Sequence, residues 1–267
     1  MIPDQKQHWN EIYSRNAEFF GEEPSDFAKH ALAQFRENGV SELLELGPGQ
    51  GRDTIYFAEN GLVIEGLDYS SQSISELNAK LEGRSIASRI KLQMHDIREP
   101  IPFPDSTFDA CYAHMLLCMH FKENDIQTAL AEIHRVIRPG GLVVYSVRST
   151  FDPHYKHPEA TYLGEKLYEI GGFVVHFFSE AMIRKFARGF KIVNIGRLKE
   201  GSLPRDLFVV VLKKTGPIEG AAVEGNMSDA FGLYQDFFDA AYGPGVLDKK
   251  TKFLIAVGAS LAAGCET

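Results

Sequence analysis

Between residues 43 and 53 the chain reads L-L-E-L-G-P-G-Q-G-R-D, an apolar run that breaks into alternating glycines before a helix-forming segment. A strand, a tight turn and a helix start in that order call for an α/β arrangement with the turn at the edge of a sheet. Glycine at 47, 49 and 51 permits positive φ and lets a ligand lie against bare backbone. The amides that open the following helix would then face whatever occupies the crevice. Taken alone, G-x-G-x-G also occurs in plain connectors and in dinucleotide sites, so its meaning depends on the next elements.

A second apolar strand, Leu62 to Leu67, ends in Asp68, whose carboxylate could accept both hydroxyls of a ribose. A third, Ile90 to Met94, runs into His95-Asp96-Ile97, where Asp96 could take the exocyclic amine of an adenine and Ile97 pack on its ring. Phe108 to Ala113 is a fourth strand; Ile126, Ala129, Leu130, Ile133, Val136 and Ile137 stripe the next helix, and Pro139-Gly140-Gly141 turns it into the strand Leu142 to Val147. Unbroken apolar strands of this kind suit a parallel sheet covered on both faces. The fold class expected is a doubly wound, Rossmann-like α/β sheet.

E-L-G-P-G-Q-G, G-L-D, H-D-I, F-D-A-C-Y-A-H and R-V-I-R-P-G-G together resemble the class I S-adenosylmethionine-dependent methyltransferases, over roughly residues 40 to 213. The resemblance implies S-adenosylmethionine as cofactor and a seven-stranded, mostly parallel sheet whose last strand is antiparallel. It places Glu45, Gly47, Gly49 and Gly51 against the methionine part of the cofactor, Asp68 and neighbouring Tyr69 at the ribose, and Asp96 and Ile97 at the adenine. It also implies methyl transfer to a small-molecule acceptor.

Charge and composition narrow the partners. With 28 Lys and Arg against 36 Asp and Glu the net charge is −8, and no stretch concentrates basic residues as a phosphate-tracking groove would. Nucleic acid is not an expected partner. No apolar run reaches the ~20 residues of a membrane span, and the N-terminus lacks a signal-peptide core. Cys111, Cys118 and Cys265 form no disulfide framework and no metal-ligand spacing. A cytoplasmic protein with no metal is expected.

Residues 1–214 are read as the methyltransferase domain. Its first 38 residues hold two helices, similar to the cofactor-covering leader of the tellurite-resistance and thiopurine methyltransferases. After Arg148 an aromatic insertion, 151 to 178, is expected to close over the substrate. Residues 215–226 read as a linker, and 227–267 resemble the first half of a carboxymuconolactone decarboxylase or alkylhydroperoxidase-D-like domain, truncated and without that family's activity. Its helix Thr251 to Ala263 is apolar on nearly every side, which points to homo-oligomers through the C-terminal helices.

Displacement at a sulfonium mainly requires the acceptor to be held in line in a dry pocket. An amine or hydroxyl acceptor also wants a base, and His114, at the end of the fourth strand, is the candidate. His120, Tyr145, Arg148, Tyr155 and His176 are further candidates for the acceptor side, although His120 and His176 read more readily as ordinary packed or surface histidines. Two other readings share the glycine turn: a nicotinamide-dependent oxidoreductase, whose third glycine would fall one position later, and a non-catalytic nucleoside-binding assembly module.

Overall fold

The computed structural model describes residues 4–200 and 205–216. The linker and the decarboxylase-like segment expected at 215–226 and 227–267 lie, but for their first two residues, outside the described residues, and the self-association expected of the C-terminal helices with them.

Two helices lead in, α1 (Gln5–Arg15) and α2 (Asp26–Glu37), and strands and helices then alternate: β1 (Glu42–Leu46), α3 (Arg52–Glu59), β2 (Val63–Asp68), α4 (Ser71–Leu81), β3 (Ile90–Met94), β4 (Phe108–His114), α5 (Glu123–Val136) and β5 (Ile137–Arg148). A three-stranded insert, β6 (Thr161–Gly164), β7 (Leu167–Ile170) and β8 (Phe173–His176), precedes α6 (Glu180–Phe186) and a closing hairpin, β9 (Phe190–Glu200) and β10 (Arg205–Lys214). The main sheet has seven strands in the order β3-β2-β1-β4-β5-β10-β9. All neighbours from β3 to β5 are parallel, and β10 alone runs against both of its partners. This is the architecture the sequence implies. β5 starts earlier than expected, so that Pro139-Gly140-Gly141 is absorbed into its irregular beginning, where the β4 pairing slips register.

The period of two along each strand sorts side chains onto two cores. Leu43, Ala110, Tyr112, Leu142 and Val144 face Phe27, Phe35, Phe57 and Leu77 of α2, α3 and α4. Leu44, Leu46, Cys111, Val143 and Tyr145 face Ile126, Leu130, Ile133, Met182 and Phe186 of α5 and α6. The central strands are covered on both sides, and the strand order turns back between β1 and β4, which opens a crevice at their carboxyl ends.

Local caps fasten the leader over that crevice. Ser25 caps α2 by accepting from the Ala28 amide, and its own amide and hydroxyl donate to the buried Asp53 carboxylate at 2.8 and 2.9 Å, tying α2 to the start of α3. On α1, Gln5 donates to the Gly172 carbonyl and accepts from the Val174 amide, both at 3.0 Å, while Asn10 accepts from the Ser70 hydroxyl at 2.7 Å. α1 therefore spans from the insert to the N-cap of α4.

The insert does not close over the crevice as expected. Tyr155, Tyr168 and Phe177 turn toward one another, with ring centroids 5.5–5.8 Å apart, and form a small core of their own. Its contribution is to hold α1.

Candidate active site

The glycine turn, the ends of β2 and β4, the loop after β3, the segment 115–121 and α1 enclose a cleft of about 520 Å³. Glu45, Gly47, Gly49, Gly51, Asp68, Tyr69, Asp96, Ile97 and His114 all border it. Residues far apart in sequence thus converge because each follows, or lies within, a strand end at the same edge.

The turn needs its glycines. Gly47, Gly49 and Gly51 have φ of +69°, +54° and +86°. A Cβ on Gly51 would fall inside the side chain of Leu77, which is fully buried and has nowhere to swing. The amides of the three glycines do not reach into the crevice: Gly47 donates to the Leu67 carbonyl at 2.8 Å, Gly51 to the Pro48 carbonyl at 3.0 Å, and Gly49 to the Asp68 carboxylate at 3.0 Å.

Two buried carboxylates lie at the turn. Asp68 accepts from the Gly49 amide through one oxygen and from the Ser70 amide, at 2.8 Å, through the other, which leaves lone pairs for a ligand. Burial raises its pKa, and these bonds only partly offset that. Glu45 is 2 % exposed, and its Oε2 has no hydrogen-bond partner. Burial pushes its carboxyl up to about 8, against the neighbouring Thr54 hydroxyl, which favours the carboxylate, and with smaller upward contributions from Asp53 and Asp68.

At the opposite wall Asp96 is held by its neighbour: Arg98 Nε and Nη2 donate to its oxygens at 3.0 and 2.5 Å. Although burial works against ionisation, Arg98 keeps the Asp96 pKa below the usual carboxylate value. Ile97 is buried beside it. Tyr69 follows Asp68 on the same wall, its phenol pushed upward by burial and then by Asp68.

His114 is engaged through both ring nitrogens. Nδ1 is 2.6 Å from Ser146 Oγ, which also accepts the Met115 amide at 3.0 Å, and Nε2 is 3.1 Å from Glu200 Oε2. A self-consistent assignment has the Ser146 hydroxyl donating to Nδ1 and Nε2–H donating to Glu200. Glu200 also accepts from Arg52 Nη2 at 2.8 Å. Burial raises the Glu200 carboxyl, but His114 and then Arg52 outweigh it and bring it to about 2.

Of the other acceptor-side candidates, His120 borders the cleft and Tyr145, Arg148, Tyr155 and His176 do not. Arg148 is buried in a two-pronged pair with Asp152, both contacts at 2.6 Å. His176 is fully buried and donates from Nδ1–H to the Phe121 carbonyl, 2.7 Å away. Tyr145 is 1 % exposed within the sheet core.

Sequence reasoning missed Arg52, Ser146 and Glu200. No local pattern marks them: Glu200 stands 148 residues from Arg52, and only closure of the β9–β10 hairpin brings it to Arg52 and His114 at the cleft's border. Tyr13, in the leader expected to cover the cofactor, reaches the turn, its hydroxyl resting 3.1 Å from where a Cβ of Gly49 would stand. No group of three or more His, Cys, Asp or Glu positioned for a metal occurs among the described residues, and none of their helices is long and apolar enough to cross a membrane.

Comparison with known proteins follows the same stretch of chain. The family described as "Methyltransferase domain" matches residues 43–141. The O-methyltransferase resE of Aspergillus sclerotiorum is 26% identical over 193 residues, 72% of this chain and 70% of that one. The putative methyltransferase YqeM of Bacillus subtilis (strain 168) is 29% identical over 137 residues, and there this chain spans 53% of the relative's length. Among solved structures, the Burkholderia thailandensis 1,6-didemethyltoxoflavin-N1-methyltransferase, with its substrate and S-adenosylhomocysteine bound, superposes with a TM-score of 0.62 at 20% identity, covering 79% of this chain and 88% of that one.

Proposed function

We propose, from the premise that residues 43–141 are a methyltransferase domain and that the chain is a class I S-adenosylmethionine-dependent methyltransferase, that it methylates an oxygen or nitrogen of a small-molecule acceptor held at the His114 end of the cleft. The observation that carries this reading is the orphaned Oε2 of Glu45 beneath a turn of three positive-φ glycines. A buried carboxylate with no cation of its own and only the Thr54 hydroxyl beside it favours a cationic ligand. The ammonium of a methionine moiety supplies one, and the glycines leave room for its chain.

In this reading Glu45, Gly47, Gly49 and Gly51 hold the methionine part of the cofactor, Asp68 uses its remaining lone pairs on the ribose with Tyr69 alongside, and Asp96 and Ile97 flank the adenine. When bound, the cofactor supplies an activated methyl group. The chain's own residues orient the acceptor, exclude water with α1 and its Trp9 and Tyr13, and receive a proton. An O-methyltransferase and an N1-methyltransferase among the similar proteins suggest an acceptor that must lose one. His114 is the residue proposed for this, and it serves only once Nε2 leaves Glu200 and the ring takes its other tautomer, with Nδ1–H donating to Ser146 Oγ and the Nε2 lone pair open to the acceptor's proton.

The oxidoreductase alternative fits less well. A dinucleotide's phosphates want free amides at the turn, whereas the three glycine amides are spent internally and two carboxylates sit beneath them. A cytoplasmic setting without nucleic acid belongs to the same proposal and rests on composition. Calorimetry of the purified chain with S-adenosylmethionine, S-adenosylhomocysteine and NAD is the test. Binding of the first two and not the third is expected, and tight binding of NAD would overturn the assignment.

A further inference from the structure

We propose that the acceptor carries an anionic group, a carboxylate or a phosphate, on a flat apolar body, and that Arg205 binds that group beside Phe20. The identity of this end of the cleft as the acceptor end rests on the methyl-transfer reading above.

Arg205 opens β10 directly opposite Glu200 across the hairpin, so the two side chains share a face of the sheet. On that face Glu200 reaches Arg52 and His114, both of which border the cleft. Arg205 therefore stands at the same edge, behind Phe20 and just outside the residues that border the cleft. Its guanidinium lies 5.8 Å from the centroid of the Phe20 ring, which also borders the cleft and has Arg52 at 5.6 Å.

What sets Arg205 apart from the other half-buried arginines is that no carboxylate bonds it, although Glu200 stands opposite. Among the described residues it makes no ion pair and no side-chain hydrogen bond. The nearby carboxylates are engaged elsewhere: Glu200 by Arg52 and His114, and Asp152 by Arg148 and by the amides of His154 and Asp206. A half-buried guanidinium thus keeps its fork of N–H donors unmatched. Burial and then Arg148 depress its pKa, Glu200 only partly counters them, and Arg52 adds to the repulsion. A planar carboxylate or phosphate is the ligand such a fork fits. Trp9, Phe20, Leu116, Met119 and Phe121 supply apolar walls for the rest of the molecule.

The test uses the whole chain, with and without S-adenosylhomocysteine, and three probes in calorimetry: benzoate, phenyl phosphate and neutral benzamide. At least one of the two anions is expected to bind about tenfold or more tightly than benzamide, and the better anion identifies the group. Arg205→Met should erase that preference and leave benzamide and S-adenosylhomocysteine binding within about twofold of the wild type; Arg205→Lys should retain part of it. Should Arg205→Met fail to fold, the wild-type preference and its reduction in Arg205→Gln decide. Equal binding of all three probes by the wild type, or a preference that survives in the variants, overturns the proposal. Failure to bind S-adenosylhomocysteine would sink the methyl-transfer reading instead, and the cofactor-free titration separates the two failures.

Discussion

Replacing Glu45 by glutamine removes the charge of this side chain while keeping its size. In the wild-type chain burial lifts the carboxyl from an ordinary value near 4.5 to about 8, so its ionised form is disfavoured by roughly 5 kcal/mol at about 1.4 kcal/mol per unit. At pH 7 only about one molecule in ten carries the charge. A ligand ammonium beside the Glu45 carboxyl favours the carboxylate, so binding of S-adenosylhomocysteine should release close to one proton at that pH. Affinity should then rise by up to about tenfold per unit from pH 6 and level off above pH 8. The unliganded protein behaves in the opposite way. Between about pH 4.5 and 8 the folded chain holds a proton that the unfolded chain has lost, so stability declines as pH rises through that window, by up to ~5 kcal/mol, and is flat on either side as far as Glu45 is concerned. Calorimetry in two buffers of different ionisation enthalpy counts the protons, and denaturant unfolding between pH 5 and 9 follows stability. Glu45→Gln should lose the proton release and this component of the pH dependence, and should bind cofactor more weakly above pH 8. Equal proton release from wild type and variant would refute the pairing of Glu45 with the ligand's cation.

Gly51→Ala should destabilise the fold by about 2–4 kcal/mol, from left-handed backbone and overlap with Leu77 together; Leu77→Ala in the same chain should make the alanine cost less than it does alone in thermal unfolding. Asp68→Asn should weaken S-adenosylhomocysteine binding by about 1–3 kcal/mol, as read by calorimetry, and a change of less than twofold would exclude a ribose contact. Glu200→Gln should cost about 2 kcal/mol at pH 7, less than for a fully buried pair because Glu200 keeps some exposure. Since its folded pKa lies near 2 and below the ordinary value, the stability it contributes is present above about pH 4.5, and the gap to wild type should close as pH falls from there toward 2. His114→Ala should lower turnover by about 10² or more with S-adenosylhomocysteine affinity within about twofold; parallel loss of both would show that His114 holds the fold.

The sheet was legible because its signal is local. Each strand from Leu43 to Val147 is an apolar run, each ends in a residue that turns the chain, and the resemblance supplies the order. The cofactor-side candidates were legible for the same reason, since Glu45, Asp68 and Asp96 are defined by their place at a strand end. The acceptor side was not. Arg148 looked like a free cation until Asp152, four residues on, proved to neutralise it in the interior. The aromatics of 151–178 looked like a substrate cover because composition does not say which way a ring faces; Tyr155, Tyr168 and Phe177 face one another. Glu200 and Arg205 depend on hairpin register, which sets a partner across the strand pair and leaves no mark in the neighbouring sequence.

Gln5 and Asn10 fix α1 at two points, one on the insert and one on the α4 cap. The same helix forms part of the wall of the cleft through Trp9 and Tyr13. Door and wall are therefore one piece. Moving α1 aside to pass a cofactor would also dismantle part of the chamber in which the acceptor lies, so the two ligands are expected to enter and leave in sequence, cofactor first in and its spent form last out. In steady-state product inhibition, S-adenosylhomocysteine should then compete with S-adenosylmethionine and not with the acceptor, and detachment of α1 from Gly172 and Ser70 becomes the motion that meters turnover.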